Sequence, residues 1–520
     1  MATREQTRGL PFRISSRFVL FVIALTLSAC ADTGCDCEGF ETAEFPEEHY
    51  DKTVPLGGQI RVTDSGLQFL GDKVPTLIEQ VQPGGLSFCL PADDSGNPAL
   101  CNDGRTCTNG NPGCQLDLQI DESSLTPNPA DTLDVGITIG GMGGKNANGD
   151  KLDELYFEYD HLWTSSCSAH FYDAHSGDSN TPAQIPAVLP VTFTVDQNSP
   201  TNDVRIELGD VQVEGEVTDH VAFDLSGGID CGIADFFSGL LDGTINDQLT
   251  GQLETIINEV EAENLCRTCG DQDPACPGNS TCGEQEGISV CQYQDDSCVP
   301  AKFGIEGNLK LGSVIGDFSE NPQAGVHTMA NLSDKADVDS GLNLAMRTGF
   351  QQESSARCIP IDPTARPSFD AIGASDSIYT DQRSGGESFM VGIGLHKRAL
   401  EHALWSTWAS GALCLNVSGA DVSQLSPSTL GLLLPSLKEL TDSKALLFLK
   451  LVPQTAPKAQ LGANTVTPDG DSYDIEDPLI TLDWKDLDIH FYAYSQERFL
   501  RLFSLRADLA VPVALAADGQ

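Results

Sequence analysis

The sequence predicts an elongated α+β protein built of antiparallel sheets and amphipathic helices in two halves, with a small disulfide-rich insert between them. Three observations carry this prediction. Several segments alternate apolar and polar side chains with a period of two, two segments carry apolar stripes at helical spacing, and six cysteines crowd into residues 266–298. One-sided alternation is typical of antiparallel strands that have one buried and one solvated face.

The N-terminus has the features of an export signal. Four arginines precede an apolar run at 18–26, which is too short to span a bilayer but long enough for the core of a signal peptide. Residues 27–30 (LSAC) resemble the lipobox of bacterial lipoproteins, in which the cysteine is acylated after the signal, here residues 1–29, is removed. Cys30 is therefore the predicted lipid anchor, and Ala31 in place of an aspartate favours the outer membrane of a bacterial cell envelope. An ordinary signal peptide that is cut near the same place is the alternative.

The composition limits the possible partners. The chain has 76 acidic and 29 basic residues, and its formal net charge is −47. Such a surface repels nucleic acid and anionic lipid headgroups, so we expect no nucleic-acid partner. Solubility, or adaptation to a salty medium, is the simplest interpretation of this charge. No further segment is apolar over ~18 residues, so we expect the chain after the signal to be soluble.

The cysteines predict disulfides. Seventeen cysteines include Cys30, and in an exported chain the other sixteen predict up to eight disulfides. Two lie near the N-terminus, four surround a polar loop at 89–114, six lie within 266–298, and four are scattered. The Cys266-x-x-Cys269 spacing occurs in zinc sites, but no histidine lies among these six cysteines, which favours disulfides. Six cysteines allow fifteen pairings, and the sequence does not choose among them.

Four regions follow the signal peptide. Residues 30–58 are acidic, contain glycine and proline, and are predicted to form a stalk. Residues 59–265 form the first folded region, residues 266–300 the cysteine-rich insert, and residues 301–520 the second region. In the second region no counterpart of the long helix predicted at 233–260 follows the last strand, so either this half is incomplete or the chain is truncated.

The first region opens with a short strand at 60–62 and a helix that Asp64 or Ser65 caps. The apolar stripe of this helix comprises Leu67, Leu70, Val74, Leu77, Ile78 and Val81. Alternating side chains predict strands at 116–120, 133–139, 191–195, 204–208 and 211–217, with a bulge or turn at 209–210, where the phase shifts. The strongest helical pattern in the chain then predicts a rod ~40 Å long at 233–260.

The second region shares this scheme of a short strand, an amphipathic helix and long alternating strands. Strands are predicted around 305–311 and 341–346, and 389–395 leads directly into a helix that continues through about Trp408. A further short helix is predicted at 436–440. The last strands are predicted at 445–452, 487–493 and 505–513.

This order of elements resembles the tubular lipid-binding superfamily, typified by bactericidal/permeability-increasing protein. Residues 60–69 (IRVTDSGLQF) resemble the opening of the family's first barrel, and 236–249 (FFSGLLDGTINDQL) resemble the long helix that ends it. Residues 391–395 (VGIGL) and the helix after them resemble the start of the second barrel. The resemblance covers most of 59–520 and rests on pattern and order rather than on one diagnostic motif. It implies two barrel-like halves in which a twisted sheet wraps a helix and leaves an apolar tube.

The resemblance also implies a ligand. An acyl chain that enters such a tube gains about 0.8 kcal/mol per buried CH₂. The implied lining is Leu70, Val74, Leu77, Ile78, Phe236, Phe237, Leu240 and Leu241, although apolar stripes of this kind also form filled cores. Two departures limit what is carried over. Antibacterial members of the family bind endotoxin with a basic tip, which does not match this acidic chain, and the cysteine-rich insert is not a family feature.

Motifs for catalysis and metal binding are weak. Residues 139–145 (IGGMGGK) lack the first glycine of a phosphate loop and are not followed by Ser or Thr. The segment 170–175, with two histidines and an aspartate, could hold a metal ion, and 146–150 and 469–474 could bind calcium, but surface loops are the simpler interpretation. No Gly-x-Ser-x-Gly elbow is present. We therefore expect no enzymatic activity, no metal site and no cofactor.

The predicted function is that of a membrane-anchored lipid-binding or lipid-transfer lipoprotein, with a lipid or another apolar molecule as its ligand. The alternative is a cell-surface structural or adhesion lipoprotein without a lipid cavity, which the acidic surface and the insert at 266–300 favour. A hydrolase with an unrecognised site is a third interpretation.

Overall fold

The structure is a computed structural model. It describes residues 39–73, 86–93, 99–102, 104–107, 110–128, 132–142, 154–160, 164–215, 217–227, 231, 251, 254, 257–258, 261–270, 276–360, 365–370, 388–419, 445–469, 472–495 and 497–515. The signal peptide, Cys30 and the predicted short helix at 436–440 lie outside the described residues. Of the predicted tube lining only Leu70 lies within them; the others are Val74, Leu77, Ile78, Phe236, Phe237, Leu240 and Leu241.

The described part of the chain is mostly antiparallel sheet. The strands that precede the cysteine-rich insert are β1 (Phe40–Thr42), β2 (Thr53–Val62), β3 (Leu86–Pro91), β4 (Ala99–Leu100), β5 (Gly113–Asn128), β6 (Thr132–Met142), β7 (Glu154–Asp160), β8 (Thr164–Asp173), β9 (Ala183–Val195), β10 (Val204–Leu208), β11 (Gln212–Val213) and β12 (Val221–Gly227). The strands from the insert onward are β13 (Thr281–Gln285), β14 (Ile288–Gln292), β15 (Gly304–Leu309), β16 (Val326–Val338), β17 (Leu342–Gln352), β18 (Val391–Leu395), β19 (Leu415–Ser418), β20 (Leu447–Pro453), β21 (Lys458–Leu461), β22 (Thr465–Asp469), β23 (Ser472–Asp477), β24 (Ile480–Ser495) and β25 (Arg498–Val513).

Helices are few and short in the described residues. They are α1 (Asp64–Gly71), α2 (Val217–His220), α3 (Leu311–Ile315) and α4 (Lys397–Ala409), with 3₁₀ turns at Glu47–Lys52 and Gly316–Phe318 and a π-helical turn at Glu261–Leu265. No helix among the described residues is long and apolar enough to cross a membrane. The strands predicted from alternation are confirmed except at 211–217, where only the two residues of β11 are extended and α2 begins at Val217. The starts of α1 and α4 are confirmed.

A six-stranded central sheet joins distant parts of the chain. Its strand order is β1-β15-β16-β17-β2-β18, so β2, which precedes the cysteine-rich insert, lies between two strands that follow it. Val62 of β2 pairs with Leu342 on one side and with Val391 on the other. Strands from before and after the insert in the sequence therefore pair with each other, and the two predicted regions share one sheet.

One face of the central sheet is apolar and carries the first half of the molecule. Val62, Leu342 and Leu344 form a buried cluster with Leu67 of α1 and with Leu133 and Val191 of the first-half strands. The helix begins where the side chain of Thr63 accepts a hydrogen bond from the Gly66 amide, so the cap lies one residue before the predicted Asp64. It ends at Gly71, where an added Cβ would lie 3.1 Å from the Leu125 amide of β5. The absence of a side chain thus allows the end of the helix to approach that strand closely.

Two sheets form the first half, with strand orders β10-β9-β6-β5-β3 and β12-β8-β7-β4, and β11 also pairs with β9. Their apolar faces meet in a core that is filled by side chains with almost no solvent exposure. Its most buried large members are Ile139, Leu155, Phe157, Phe171 and Ile185. The predicted phase shift at 209–210 is the break between β10 and β11, where the Gly209 amide donates to the Pro190 carbonyl.

The second half is a sheet with the order β19-β20-β24-β21, to which β25 adds on the other edge of β24. Helix α4 packs against one end of this sheet through Leu400 and Leu404, which join Ile480 and Val513 in a buried cluster. Trp408 fixes the helix further by donating from Nε1 to the Pro453 carbonyl at 3.0 Å.

Seven disulfides among the described residues confirm the prediction from cysteine content. Three pairs lie within the first half, Cys89–Cys107, Cys101–Cys114 and Cys167–Cys231, and one, Cys358–Cys414, lies after the insert. The other three lie within the insert: Cys266–Cys298, Cys269–Cys282 and Cys276–Cys291. Because all six cysteines of the insert are oxidised, none of them offers a thiolate to zinc. Cys35 and Cys37 lie outside the described residues.

A buried arginine fastens the central sheet to the first half. Arg347 of β17 pairs with Asp334, and their side chains are only 10% and 8% exposed. The same guanidinium donates to the Thr201 carbonyl at 3.0 Å and to the Thr53 hydroxyl at 3.2 Å. One side chain therefore connects β17, β2 and the loop between β9 and β10.

We expect Arg347→Met to lower the free energy of unfolding by about 3 kcal/mol, because it leaves the buried carboxylate of Asp334 without its countercharge. Urea denaturation at neutral pH measures the change. Lys485→Met is the matched control: it removes the pair between Lys485 and Asp508, which lies on the surface, and should cost less than about 0.5 kcal/mol. Equal losses in the two variants would contradict the role given to Arg347.

Candidate functional site

The apolar face of the central sheet continues beyond its buried core onto the edge strand β18. Val391, Ile393 and Leu395 alternate along this strand, and their ladder partners on β2 are Val62, Ile60 and Gly58. Directly opposed residues of an antiparallel ladder lie on the same face of the sheet. This face is covered at β17 and β2 but open at β18, where the side chain of Ile393 is 52% exposed.

Helix α1 adds to this open region. Leu67 anchors the helix on the same apolar face, whereas Phe69 and Leu70 are exposed, Leu70 by 38%. The helix and β18 are held together at Met390, whose carbonyl accepts from the Thr63 amide at 3.0 Å. A Cβ on Gly66 would lie 2.2 Å from that carbonyl oxygen, so only glycine permits this approach.

We call the exposed apolar side chains of these two elements the α1–β18 surface: Phe69, Leu70, Met390, Val391, Ile393 and Leu395. Single exposed apolar residues are normal on a soluble protein, but a group of this size on adjoining elements is typical of a binding site. The six side chains carry no acid, base or nucleophile. The surface is therefore suited to hold hydrocarbon.

The second half has an apolar face that is also only partly covered. Two adjacent rows of ladder partners cross four of its five strands, β19, β20, β24 and β25, without a polar residue. They are Leu415, Leu451, Ile489 and Leu505 in one row and Val417, Leu449, Phe491 and Phe503 in the next. All are half-buried except Leu505, which is exposed. We call these eight residues the open sheet face; α4 covers only the neighbouring end of the sheet.

The predicted lining residues have different outcomes. Leu70 belongs to the α1–β18 surface and is not part of a filled core. The other seven lie outside the described residues, so their predicted role stays a prediction. Of the helix predicted at 233–260, residues 251, 254 and 257–258 are helical, and Ile257 packs against the first-half core.

The weak metal motifs are not assembled into a site among the described residues. Nε2 of His170 lies 2.9 Å from the Ser179 carbonyl oxygen, and Asp173 accepts from the His175 amide at 2.9 Å. The ligand atoms of His170, Asp173 and His175 do not lie close enough together to share a metal ion. The only such groups in the described residues contain cysteines that are already in disulfides.

Of the calcium candidates, Asp469 pairs with Ser472 across the β22–β23 turn. The other, at 146–150, lies outside the described residues. Asp469 and Ser472 thus belong to the two strands of a hairpin, which agrees with the simpler interpretation of a surface loop for 469–474.

A packed cluster on α4, the helix that follows β18, was not apparent from the sequence. His402 is buried against the Phe369 ring at 4.3 Å, and its Nε2 lies 3.2 Å from the Ser368 carbonyl oxygen. The Arg366 guanidinium lies 4.6 Å from the Phe369 ring centroid and 4.5 Å from the Trp405 ring. Burial lowers the pKa of His402 from 6.5 to about 4 and the pKa of Arg366 to about 10. These contacts hold α4 in place directly after the edge strand β18.

We expect His402 to make the fold acid-sensitive. Its pKa is lower in the folded chain than in the unfolded chain, so its stabilising contribution is complete above pH 6.5 and is lost as the pH falls towards about 4. His402→Leu should lose less stability than the wild type between neutral pH and a pH of about 5, as measured by urea denaturation. Leu461→Asn, an exposed substitution that removes no titratable group, is the control and should keep the wild-type pH dependence. Identical pH profiles of wild type and His402→Leu would contradict this role.

Comparisons with known proteins add little. No protein family model and no curated protein matches the chain. Among solved structures, a crystal structure of a lipopolysaccharide binding protein matches at 11% sequence identity and a TM-score of 0.33, over 90% of this chain and 81% of that chain. A TM-score this low does not establish a common fold.

Proposed function

We propose that this chain binds lipid, with acyl chains lying on the apolar α1–β18 surface. The observation that carries the proposal is the continuity of one apolar sheet face, which runs from the buried cluster at Val62 and Leu342 onto the exposed side chains of β18. Hydrocarbon placed there extends an existing core instead of starting a new one. Each methylene that leaves water contributes about 0.8 kcal/mol, so a chain with ten buried methylenes gains on the order of 8 kcal/mol.

The open sheet face supports the same proposal for the second half. Eight apolar side chains from four strands are left partly exposed, so each gains only part of the roughly 1.5–3 kcal/mol that full burial of such a side chain contributes. Occupation by acyl chains recovers part of that free energy. In the first half the described core between the two sheets is filled by side chains, so acyl chains would bind on the α1–β18 surface and not between these sheets.

We further propose that the protein works at a membrane. The lipobox at 27–30 supports acylation of Cys30 and an address in the bacterial cell envelope, at the outer membrane. A tethered lipid-binding protein would collect or deliver lipid near its anchor. The chemistry of the apolar surfaces favours binding and transfer over catalysis.

The lipid site is tested by Ile393→Asn combined with Leu395→Asn. Both side chains are exposed, so the double variant should fold normally, with a change in unfolding free energy within about 0.5 kcal/mol per site. We expect its affinity for a fluorescent long-chain fatty acid to fall by roughly tenfold or more, because the apolar contact on β18 is lost. Fluorescence titration of the purified chain with Cys30→Ser measures the affinity.

Leu461→Asn is the matched control, because Leu461 is equally exposed but lies on β21 of the second half. It should bind the fatty acid like the wild type. A wild-type chain that takes up no fatty acid and carries no lipid in native mass spectrometry would overturn the proposed function. Unchanged affinity in the double variant would remove the α1–β18 surface as the site.

The anchor is tested in a bacterial host that processes lipoproteins. Cys30→Ala should be released from the membrane fraction by a high-salt wash, which screens charge-dependent contacts with lipid, because no acyl group can be attached. Metabolic labelling with a fatty-acid analogue measures acylation directly. A wild-type chain that remains unlabelled would contradict the predicted anchor and favour the ordinary signal peptide.

A further inference from the structure

Near the β24–β25 turn the second-half sheet carries apolar side chains on both faces. On one face Leu447, Ala493 and Leu500 form an apolar row, and only the terminal pair of Ser495 and Arg498 follows it. On the other, Tyr494 pairs with Phe499, and their rings lie 5.2 Å apart. Further along the same strands this second face is polar, as at Lys450, His490 and Ser504. The one-sided alternation of a solvated sheet is therefore lost only at this end.

The side chains at this end are exposed. Phe499 is 51% exposed, and Tyr494 and Leu446 are similarly open to solvent. The Tyr494 amide donates to the Leu446 carbonyl at 2.9 Å, which brings these residues together. We call Leu446, Tyr494, Arg498, Phe499 and Arg501 the sheet tip.

The exposed rings of Phe499 and Tyr494 pack against each other, and Phe499 also packs against a neighbouring aromatic ring of the sheet. Phe499 packs on Phe448 at 5.7 Å, and Phe448 on Tyr492 at 6.0 Å. With Lys450 and other polar neighbours these rings line an open groove of about 290 Å³. Because their positions are already fixed, insertion of Phe499 and Tyr494 into an apolar medium costs little side-chain entropy.

The charge of the tip differs from that of the chain. Segments 445–450 and 490–501 carry three basic residues and one acid, Glu497, whereas the whole chain has a net charge of −47. Lys450 pairs with Glu320 at 2.6 Å. Arg498 and Arg501 are exposed and form no ion pair with any residue that the structure describes.

We propose that the sheet tip docks on the surface of an anionic lipid bilayer, with Tyr494, Phe499 and Leu446 in the headgroup region and the two arginines on lipid phosphates. Aromatic side chains prefer this interface, and a basic residue near an anionic surface contributes about 1 kcal/mol. Charges elsewhere on the chain are screened beyond about 8 Å at physiological salt, so local charge decides the contact.

This inference rests on the proposed lipid binding and extends it. The row of Leu447, Ala493 and Leu500 lies between the tip and the Val417–Phe503 row of the open sheet face. A docked tip would thus give an acyl chain a continuous apolar path from the bilayer onto the sheet. The two surfaces can be tested separately, because docking needs vesicles and uptake does not.

The test uses the full chain with Cys30→Ser, so that no acyl anchor contributes, and vesicles of phosphatidylcholine with or without phosphatidylglycerol. Co-sedimentation at physiological salt measures binding. We expect the wild type to bind the anionic vesicles. Tyr494→Ser with Phe499→Ser should weaken binding to these vesicles roughly tenfold or more, because the inserted rings are lost. Arg498→Gln with Arg501→Gln should weaken it by roughly tenfold or more and make binding insensitive to phosphatidylglycerol.

Two controls match these changes elsewhere. Leu509→Ser alters an exposed apolar residue of the same strand about 30 Å away, and Lys458→Gln removes an exposed charge on β21. Both should bind vesicles like the wild type. The inference is overturned if the tip variants bind vesicles as strongly as the wild type. It is also overturned if sedimentation equilibrium shows a dimer that Phe499→Ser dissociates, since the tip would then contact a second copy of the chain. Loss of vesicle binding in the tip variants supports docking even if no fatty acid is taken up, and that second result bears only on the proposed function.

Discussion

The position of β2 between β17 and β18 is the constraint on which the rest of the molecule depends. The pairing joins Val62 to residues some three hundred positions later, but the entropy of closing such a long loop grows only with the logarithm of its length. Because β2 and β18 are antiparallel, the helices that follow them leave at opposite ends of the pair. Helix α1 thus lies on the first half and α4 on the second, so one strand pair sets the place of both halves.

The same arrangement explains why apolar side chains remain in solvent. The apolar face of the central sheet is wider than the elements that cover it, since α1 and the first-half strands lie over β17 and β2 but leave β18 open. In the second half, α4 covers the Ile480 end of the sheet and leaves Phe491 and its neighbours half-buried. In both halves the covering helix follows directly after a strand of the central sheet, α1 after β2 and α4 after β18. The short length of each helix limits how much of the apolar face it can bury.

The sequence predicts which segments are strands but not which strands pair. Alternation at 133–139 or 505–513 reports one buried face, and this information is local. Ladder bonds are made by the backbone, so nothing in residues 53–62 identifies 342–352 as the partner. Arg347 shows a second limit, because a buried arginine looks like any solvated polar position until Asp334 is placed beside it. Of the candidate site, the helical stripe predicted Leu70, whereas the exposure of Ile393 depends on β18 being an edge strand, which is a tertiary property.

The large negative charge and the exposed apolar surfaces are connected. Two chains that met through their α1–β18 surfaces would bury hydrocarbon, and such patches usually lead to self-association. A net charge of −47 opposes the approach of two copies, because every acidic surface repels its equivalent on the other molecule. A neutral acyl chain experiences no such repulsion. The composition that on first view reports only solubility therefore also discriminates between partners: it keeps apolar protein surfaces apart and leaves them accessible to small apolar ligands.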